Sequence, residues 1–403
     1  MSSSKSGLSP ARLARIDAFL QDRYIGPGKI PGAVTLVARK GEIAHLSALG
    51  QADVERGRAL KDDAIFRIYS MTKPITSVAL MMLVEEGKIA LDDPVAKFIP
   101  SWSNLGVFAA GVGPFLTTPP TRPMQVVDLC RHTSGLTYGF QNRTNVDAAY
   151  RKTEIGGIGQ RTNLDDMIAS LSKLPLEFSP GESWNYSVST DVLGYLVQVV
   201  SGLSFQDFVR TRITEPLGMI DSGFFVPPAK AARLPACYNH KPTGGMALQD
   251  DPEKSPYLAE PTFFSGGGGM VSTARDYHKF CAMLLAGGVA DGQRFLSRKT
   301  IELMTANHLP GGQDLTKLSL SMFSEATNAG IGFGLGFAVN INPAQVLLPG
   351  SVGEYYWGGA ASTAFWIDPR EDLAVIFMTQ LLPSSTYPIR RELRTLVYSA
   401  IDD

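Results

Sequence analysis

Apolar residues near the start of the chain follow first a helical and then a strand-like spacing. Helical spacing follows Ser9-Pro10, which predicts a helix that begins there and ends at the glycines and proline of residues 26–28. Two short apolar runs, residues 33–38 and 43–49, flank a polar turn and predict a hairpin. A hairpin needs further strands for stability, so its partners must come from elsewhere in the chain.

The middle of the chain shows helical periodicity without a convincing strand pattern. Apolar residues three and four apart predict four helices, at residues 124–132, 165–174, 191–201 and 205–213. The Pro/Gly/Thr-rich stretch 100–123 and the stretch 221–265 are predicted to be irregular. The glycine run of residues 265–269 predicts a tight turn before a helix capped by Ser272. We therefore expect an all-helical domain over residues 91–269.

Strand patterns return in the last quarter of the chain. Residues 333–341, 363–367 and 373–379 predict strands, and residues 388–401 predict a closing helix. Strands near both ends must meet to complete one antiparallel sheet. The prediction is an α/β (α+β) fold, with residues 1–90 and 270–403 forming an α/β domain and the helical domain inserted between them.

Composition describes an ordinary globular protein. The chain has 403 residues, 44% hydrophobic and 19% charged, with a formal net charge of −1. This charge gives no electrostatic reason to expect nucleic acid or an anionic membrane as a partner. The expected partner is a small, uncharged molecule.

Cysteine usage and the N-terminal sequence predict a soluble cytoplasmic protein. Cys130, Cys237 and Cys281 are widely spaced, and no C-x-x-C pair suggests metal or redox chemistry. The first residues lack the apolar core of a signal peptide, and no apolar run reaches the ~18 residues of a membrane span. No cofactor and no metal are expected, and the oligomeric state stays open.

The strongest candidate chemistry lies at Ser70 and Lys73, where a short apolar run gives way to a long helix. If Ser70 caps that helix, its hydroxyl and the Lys73 amine project from the same face. The unpaired N–H groups of the first turn favour negative charge beside the serine. Ser2 and Ser170 have the same S-x-x-K spacing, but only Ser70 follows a strand-like run and opens a long helix.

Two further motifs give the S-x-x-K pattern its meaning. The sequence W-N-Y-S-V-S-T-D-V-L-G occupies residues 184–194, and Y-W-G-G-A occupies residues 356–360. With S-M-T-K-P at residues 70–74, in this order, they resemble the serine β-lactamase and penicillin-binding protein superfamily. Within it, the chain is most similar to the family VIII carboxylesterases. The resemblance implies a β-lactamase/transpeptidase-like fold, with an antiparallel sheet flanked by helices and an inserted all-helical domain.

The resemblance also implies roles for three catalytic residues. Ser70 would attack a carbonyl carbon and form an acyl-enzyme. Tyr186 would act as general base, with its phenolate favoured by the nearby Lys73 cation. These groups titrate together, so the sequence leaves open which of Lys73 and Tyr186 is the resting base.

Ala360, Gly359 and Trp357 would form the third wall of the site. The backbone N–H groups of Ser70 and Ala360 would make the oxyanion hole, and Gly359 would let the strand edge approach the substrate closely. β-Lactamases have an asparagine where this chain has Val188, and a basic residue where it has Trp357. Both changes remove polar partners for a β-lactam and favour a neutral ester.

The predicted function is a serine carboxylesterase acting on short-chain acyl esters, with weak or no β-lactamase activity. An acyltransferase, a β-lactamase or D-amino-acid peptidase, and a non-catalytic binder of peptides or peptidoglycan remain alternatives. A Ser-His-Asp hydrolase is disfavoured because no G-x-S-x-G occurs and the five histidines are scattered. Metal catalysis is disfavoured because H-E-x-x-H and other ligand clusters are missing from the sequence.

Overall fold

A computed structural model describes residues 5–155, 162–320 and 329–403 and shows one main antiparallel sheet with several smaller sheets beside it. Its strands are β1 (Gly32–Arg39), β2 (Glu42–Asp53), β3 (Arg58–Ala59), β4 (Phe66–Arg67), β5 (Val107–Ala110), β6 (Leu116–Thr118), β7 (Cys237–His240), β8 (Met246–Asp250), β9 (Val271–Ser272), β10 (Val289–Ala290), β11 (Gln293–Arg294), β12 (Ile331–Phe333), β13 (Ala338–Asn340), β14 (Tyr355–Gly358), β15 (Ala364–Asp368), β16 (Leu373–Met378) and β17 (Leu381–Leu382). Its α-helices are α1 (Pro10–Leu20), α2 (Thr72–Glu85), α3 (Val126–Cys130), α4 (Asn145–Lys152), α5 (Leu164–Leu171), α6 (Ser189–Ser201), α7 (Phe205–Val209), α8 (Ala274–Leu285), α9 (Arg298–Met304), α10 (Leu315–Leu318), α11 (Pro343–Val346) and α12 (Ile389–Tyr398).

Eight strands form the main sheet, in the order β12-β13-β14-β15-β16-β1-β2-β3. The N-terminal hairpin β1-β2 pairs with β16, so that Leu36 lies opposite Ile376. The sequence prediction that the two ends of the chain complete one antiparallel sheet is therefore confirmed.

Both faces of the sheet are covered by helices. On one face, Val37 and Val375 pack with residues of α1 and α12. On the other, Leu36 and Ile376 belong to the large core that includes α2, α6 and α8. Burial on both faces explains why β1 is a continuous apolar run and lacks polar alternation.

The segment between the two sheet-forming parts is not all-helical, which corrects the prediction. The stretch 100–123 contains the hairpin β5-β6, and the stretch 221–265 contains β7 and β8, which join β17 in a small sheet. Strands β5 to β8 are only three to five residues long, and most residues of β6 and β8 are exposed. They lack the apolar alternation that identifies a strand in sequence.

Two local predictions are also corrected. The predicted strand 333–341 is the hairpin β12-β13, and Gly336 in its turn has a φ of +94°. Helix α8 is capped by Thr273, whose side chain accepts from the Asp276 N–H, while Ser272 lies in β9. The predicted glycine turn before it is confirmed.

The domain boundaries at residues 90/91 and 269/270 stay a prediction. The three cysteines are buried and free. Among the described residues, no group of three or more His, Cys, Asp or Glu side chains could hold a metal ion. In the same residues no single helix is long and apolar enough to cross a membrane. The helices Ser189–Ser201 and Phe205–Thr214, which meet at a sharp bend, reach the required length and apolar composition only when taken together.

A buried ionic network holds α12 against the strand that carries Trp357. Arg394 pairs with Glu354 at 2.7 Å, and its guanidinium lies 4.1 Å from the centroid of the Tyr356 ring. Tyr398 Oη lies 2.7 Å from both Glu354 and Asp368. Burial raises the pKa of Glu354, and the Arg394 charge opposes that shift. Arg394 therefore supplies the positive charge that Glu354 needs in order to ionise.

We predict that Arg394→Leu lowers the free energy of unfolding by about 3 to 5 kcal/mol, because it leaves a buried carboxylate without a counter-charge. Urea unfolding at neutral pH measures the change. Arg298→Leu is the matched control, since Arg298 and Glu302 form an ion pair whose side chains are 67% and 46% exposed. The control should cost less than about 1 kcal/mol. Equal losses in the two variants would contradict the interpretation.

Candidate active site

The turn that carries Ser70 departs from helical geometry. Tyr69 has a φ of +43°, and residues Tyr69–Met71 form a 3-10 turn ahead of α2. A non-glycine residue in the left-handed region is uncommon and is concentrated at functional sites. Ser70 makes no side-chain cap to the helix, contrary to the simple N-cap geometry expected from the sequence. Its hydroxyl instead contacts groups across the cleft.

The three predicted catalytic side chains meet at the Ser70 hydroxyl. Tyr186 Oη lies 2.6 Å from Ser70 Oγ, and Lys73 Nζ lies 3.3 Å from the same atom. Lys73 and Tyr186 are 2% and 1% exposed, whereas Ser70 is half-buried. Solvent and substrate therefore reach the group from the side of the serine.

The S-x-x-K occurrence at Ser170 forms no comparable group in the part of the chain that the structure describes. Ser170 lies in α5, and Lys173 beyond it is exposed. Ser2 lies outside the described residues.

Lys73 is surrounded by hydrogen-bond acceptors and aromatic rings. Its amine donates to the carbonyl of Gly267 at 2.6 Å and to Tyr138 Oη at 3.1 Å, in addition to Ser70 Oγ. The Tyr186 ring centroid lies 4.5 Å from Nζ. In the described part of the chain, Lys73 makes no direct ion pair with a carboxylate. The amine is thus enclosed and satisfied by neutral partners.

Asp191 lies behind these partners, 1% exposed. Its carboxylate accepts from Ser265 Oγ at 2.5 Å and from the Gly267 N–H at 2.9 Å. Burial raises the pKa of Asp191, and the Lys73 charge acts against that shift. Burial and the Asp191 charge, with a hydrogen bond to that carboxylate, raise the pKa of Tyr138 well above its ordinary value. Tyr138 is therefore a neutral phenol.

Gly267 sits where a side chain would not fit. A Cβ at that position would lie 2.5 Å from Asp191 Oδ2 and 2.8 Å from Tyr138 Oη. The glycine turn is predictable from the sequence, but the hydrogen bond from Lys73 to the Gly267 carbonyl is not. Tyr138 and Asp191 were not among the predicted site residues. Asp191 had a detectable signal, because an acidic residue opening an otherwise apolar helix is costly to bury without a role. Tyr138 had none.

His132 lies beneath Tyr186, with ring centroids 5.0 Å apart. Its Nδ1 lies 3.2 Å from Ser187 Oγ, and its ring also contacts Trp184 and Phe333. Burial, with a smaller contribution from Lys73, lowers the pKa of His132 well below its ordinary value. His132 is therefore a neutral ring that packs against Tyr186.

The third predicted wall lies against the Ser70 turn. A Cβ on Gly359 would lie 2.3 Å from the Ile68 carbonyl, so only glycine permits this approach. Ala360 packs with Tyr69 in a small apolar cluster. Within the described residues, neither the Ser70 N–H nor the Ala360 N–H donates a hydrogen bond. Both donors are available to a bound group.

Trp357 presents an aromatic surface beside the catalytic group. Its ring centroid lies 5.6 Å from Tyr186 and 5.4 Å from Phe333. Arg390 lies beside Gly358, on the opposite face of β14, and donates to the carbonyl of Gly359 at 2.7 Å. The side chain of Val188 is fully buried and has no hydrogen-bonding atom. The wall is apolar where a β-lactamase has polar groups.

Comparisons with known proteins identify the family of the chain. The Beta-lactamase family model matches residues 16–399. Protein Rv1367c of Mycobacterium tuberculosis is 34% identical over 88% of this chain and 87% of its own length. Esterase EstB of Burkholderia gladioli is 30% identical over 96% of this chain and 95% of its own. The structure of EstCE1, titled a hydrolase with promiscuous acyltransferase activity, has a TM-score of 0.80 at 25% identity and covers 98% of this chain and 99% of its own. The chain therefore belongs to the β-lactamase family and is a serine hydrolase of the family VIII esterase branch.

Proposed function

We propose that the chain is a serine carboxylesterase that hydrolyses short-chain acyl esters through an acyl-enzyme on Ser70, with weak or no β-lactamase activity. The relatives support esterase or acyltransferase activity. The proposed mechanism rests on one observation, the contact of Ser70 Oγ with both Tyr186 Oη at 2.6 Å and Lys73 Nζ at 3.3 Å. This is the geometry of a nucleophile and its base within hydrogen-bond reach.

In the acylation step, Ser70 Oγ attacks the ester carbonyl while its proton passes to the Tyr186 and Lys73 pair. Tyr186 Oη is within hydrogen-bond reach of Ser70 Oγ, and Lys73 Nζ lies 4.5 Å from the Tyr186 ring centroid, so we assign Tyr186 the role of general base. The same proton then goes to the leaving alcohol. Because the groups are coupled, their protonation is a property of the set.

The negative charge that develops on the carbonyl oxygen needs fixed donors. The unpaired N–H groups of Ser70 and Ala360 would supply them, and Gly359 allows the strand edge close enough to do so. Removal of one such donor typically raises the barrier by roughly 3 to 4 kcal/mol. In deacylation, a water molecule takes the place of the alcohol, and Tyr186 accepts its proton.

The choice of an ester over a β-lactam rests on Trp357 and Val188. A β-lactam carries an amide and a carboxylate, which need polar or basic partners when they leave water. Trp357 offers an apolar ring, and the Arg390 guanidinium lies on the far face of the strand. A small neutral ester carries no charged group that would need a polar partner on this wall.

A second candidate function is acyl transfer. It is favoured by the match to EstCE1, whose title names promiscuous acyltransferase activity. The two functions share the acyl-enzyme and differ only in whether water or an alcohol attacks it. The β-lactamase or D-amino-acid peptidase and the non-catalytic binder remain as alternatives, and the contacts among Ser70, Lys73 and Tyr186 argue against the non-catalytic one.

We predict that Ser70→Ala abolishes turnover of p-nitrophenyl acetate and labelling by a fluorophosphonate, because both need the Ser70 oxygen. Ser170→Ala is the matched control, since Ser170 has the same S-x-x-K spacing in α5. The control should retain wild-type rates. Retained turnover in Ser70→Ala would sink the mechanism.

Tyr186→Phe should lower kcat by about 100-fold or more, since it removes the base but keeps the packed ring. Tyr150→Phe is the control, because Tyr150 is equally buried in α4. Steady-state kinetics with p-nitrophenyl acetate measure both variants. A Tyr186→Phe enzyme within threefold of wild type would exclude Tyr186 as the base.

A panel of p-nitrophenyl esters of increasing acyl length, with nitrocefin alongside, tests the substrate class. We expect kcat/KM to be highest for short acyl chains and far lower for nitrocefin. A nitrocefin rate equal to the ester rates would contradict the assignment. Product analysis with an added alcohol separates the two functions, because hydrolysis leaves only free acid whereas transfer gives a new ester.

A further inference from the structure

Lys73 is linked to Asp191 through two bridges. The first is Tyr138, whose hydroxyl accepts from Lys73 Nζ at 3.1 Å and lies beside the Asp191 carboxylate, since a Cβ on Gly267 would be 2.8 Å from that hydroxyl and 2.5 Å from Asp191 Oδ2. The second is Gly267, whose carbonyl accepts from Lys73 at 2.6 Å and whose N–H donates to Asp191 at 2.9 Å. One buried carboxylate thus fixes two of the three partners of the amine.

Counting protons determines which way each bridge points. A phenol has one proton, and an ionised carboxylate can only accept. Because Lys73 donates to Tyr138, the phenol turns a lone pair toward Lys73, and the neighbouring Asp191 carboxylate is placed to accept the phenol proton. The Gly267 carbonyl is also an acceptor, so both bridges take N–H bonds from the lysine.

The consequence differs between the two states of the lysine. An ammonium has three N–H groups, and the third is left for Ser70 Oγ. A neutral amine has two N–H groups, which the two bridges occupy, so its lone pair faces Ser70 Oγ at 3.3 Å. Only in this orientation can the amine take or share the serine proton.

We propose that Asp191 is a positioning residue that orients the Lys73 amine toward Ser70 through Tyr138 and the Gly267 turn and supplies its counter-charge. This inference rests on the proposed acyl-enzyme function and deepens it. In a catalytic triad the third group orients the base, and Asp191 would orient Lys73 in the same way.

Among the described titratable groups that face Lys73, Asp191 is the one that can supply a negative counter-charge. The groups that face Lys73 are Tyr138, Tyr186 and, more distantly, His132 and Asp191. Tyr138 and His132 are neutral for the reasons given above. Removal of a buried negative charge makes it harder to add a proton nearby, so the acid limb of the pH–rate profile is expected to move to lower pH.

Asp191→Asn is the test, measured as the pH profile of kcat/KM for p-nitrophenyl acetate, a substrate that does not titrate in the range. We expect kcat/KM at its optimum to fall by about 100-fold and the acid limb of the profile to move down by about one pH unit or more. Asp128→Asn is the matched control. Asp128 is also a fully buried carboxylate, paired with Arg122 and Arg131, and its loss should lower stability without moving the profile.

An unmoved acid limb, or a kcat/KM within threefold of wild type, would overturn the inference. If Asp191→Asn does not fold, Tyr138→Phe tests the inference instead. This variant removes one bridge but keeps the hydrogen bonds of Asp191 to Ser265 and Gly267. We expect it to lower kcat/KM at least tenfold, and a wild-type rate would overturn the inference. Failure here is distinguishable from failure of the proposed function, since only the latter leaves Ser70→Ala active.

Discussion

The site depends on the burial of one lysine amine. Burial of a lysine amine lowers the stability of the folded protein unless each of its N–H groups donates to an acceptor. Lys73 is 2% exposed, and its acceptors come from the turn ahead of its own helix, from the segment before α4 and from the glycine turn before β9. Parts of the chain far apart in sequence must therefore assemble around this amine.

The sheet brings the remaining wall to the same point. Gly359 approaches the Ile68 carbonyl so closely that the β14 edge and the Ser70 turn form one surface. Behind this edge, Arg394 and Glu354 hold α12 in place. A charge pair outside the cleft thus supports the strand from which Trp357 faces Tyr186.

Much of this arrangement could be predicted from sequence because it has local signals. Ser70, Lys73 and Tyr186 stand in motifs, and long apolar runs marked the central strands and helices. The short strands β5 to β8 could not be predicted, since exposed residues carry no alternation. Tyr138 could not be found either, because its role comes only from what the fold places beside it.

The pairing of β1 with β16 has a consequence for the order in which the chain is made. The N-terminal hairpin leaves the ribosome with one edge unpaired, and its partner strand emerges only with the last quarter of the chain. Ala360 and Trp357 lie in that same quarter. A nascent chain therefore carries Ser70 and Lys73 long before it has a complete site, and hydrolase activity requires that the C-terminal strands have joined the sheet.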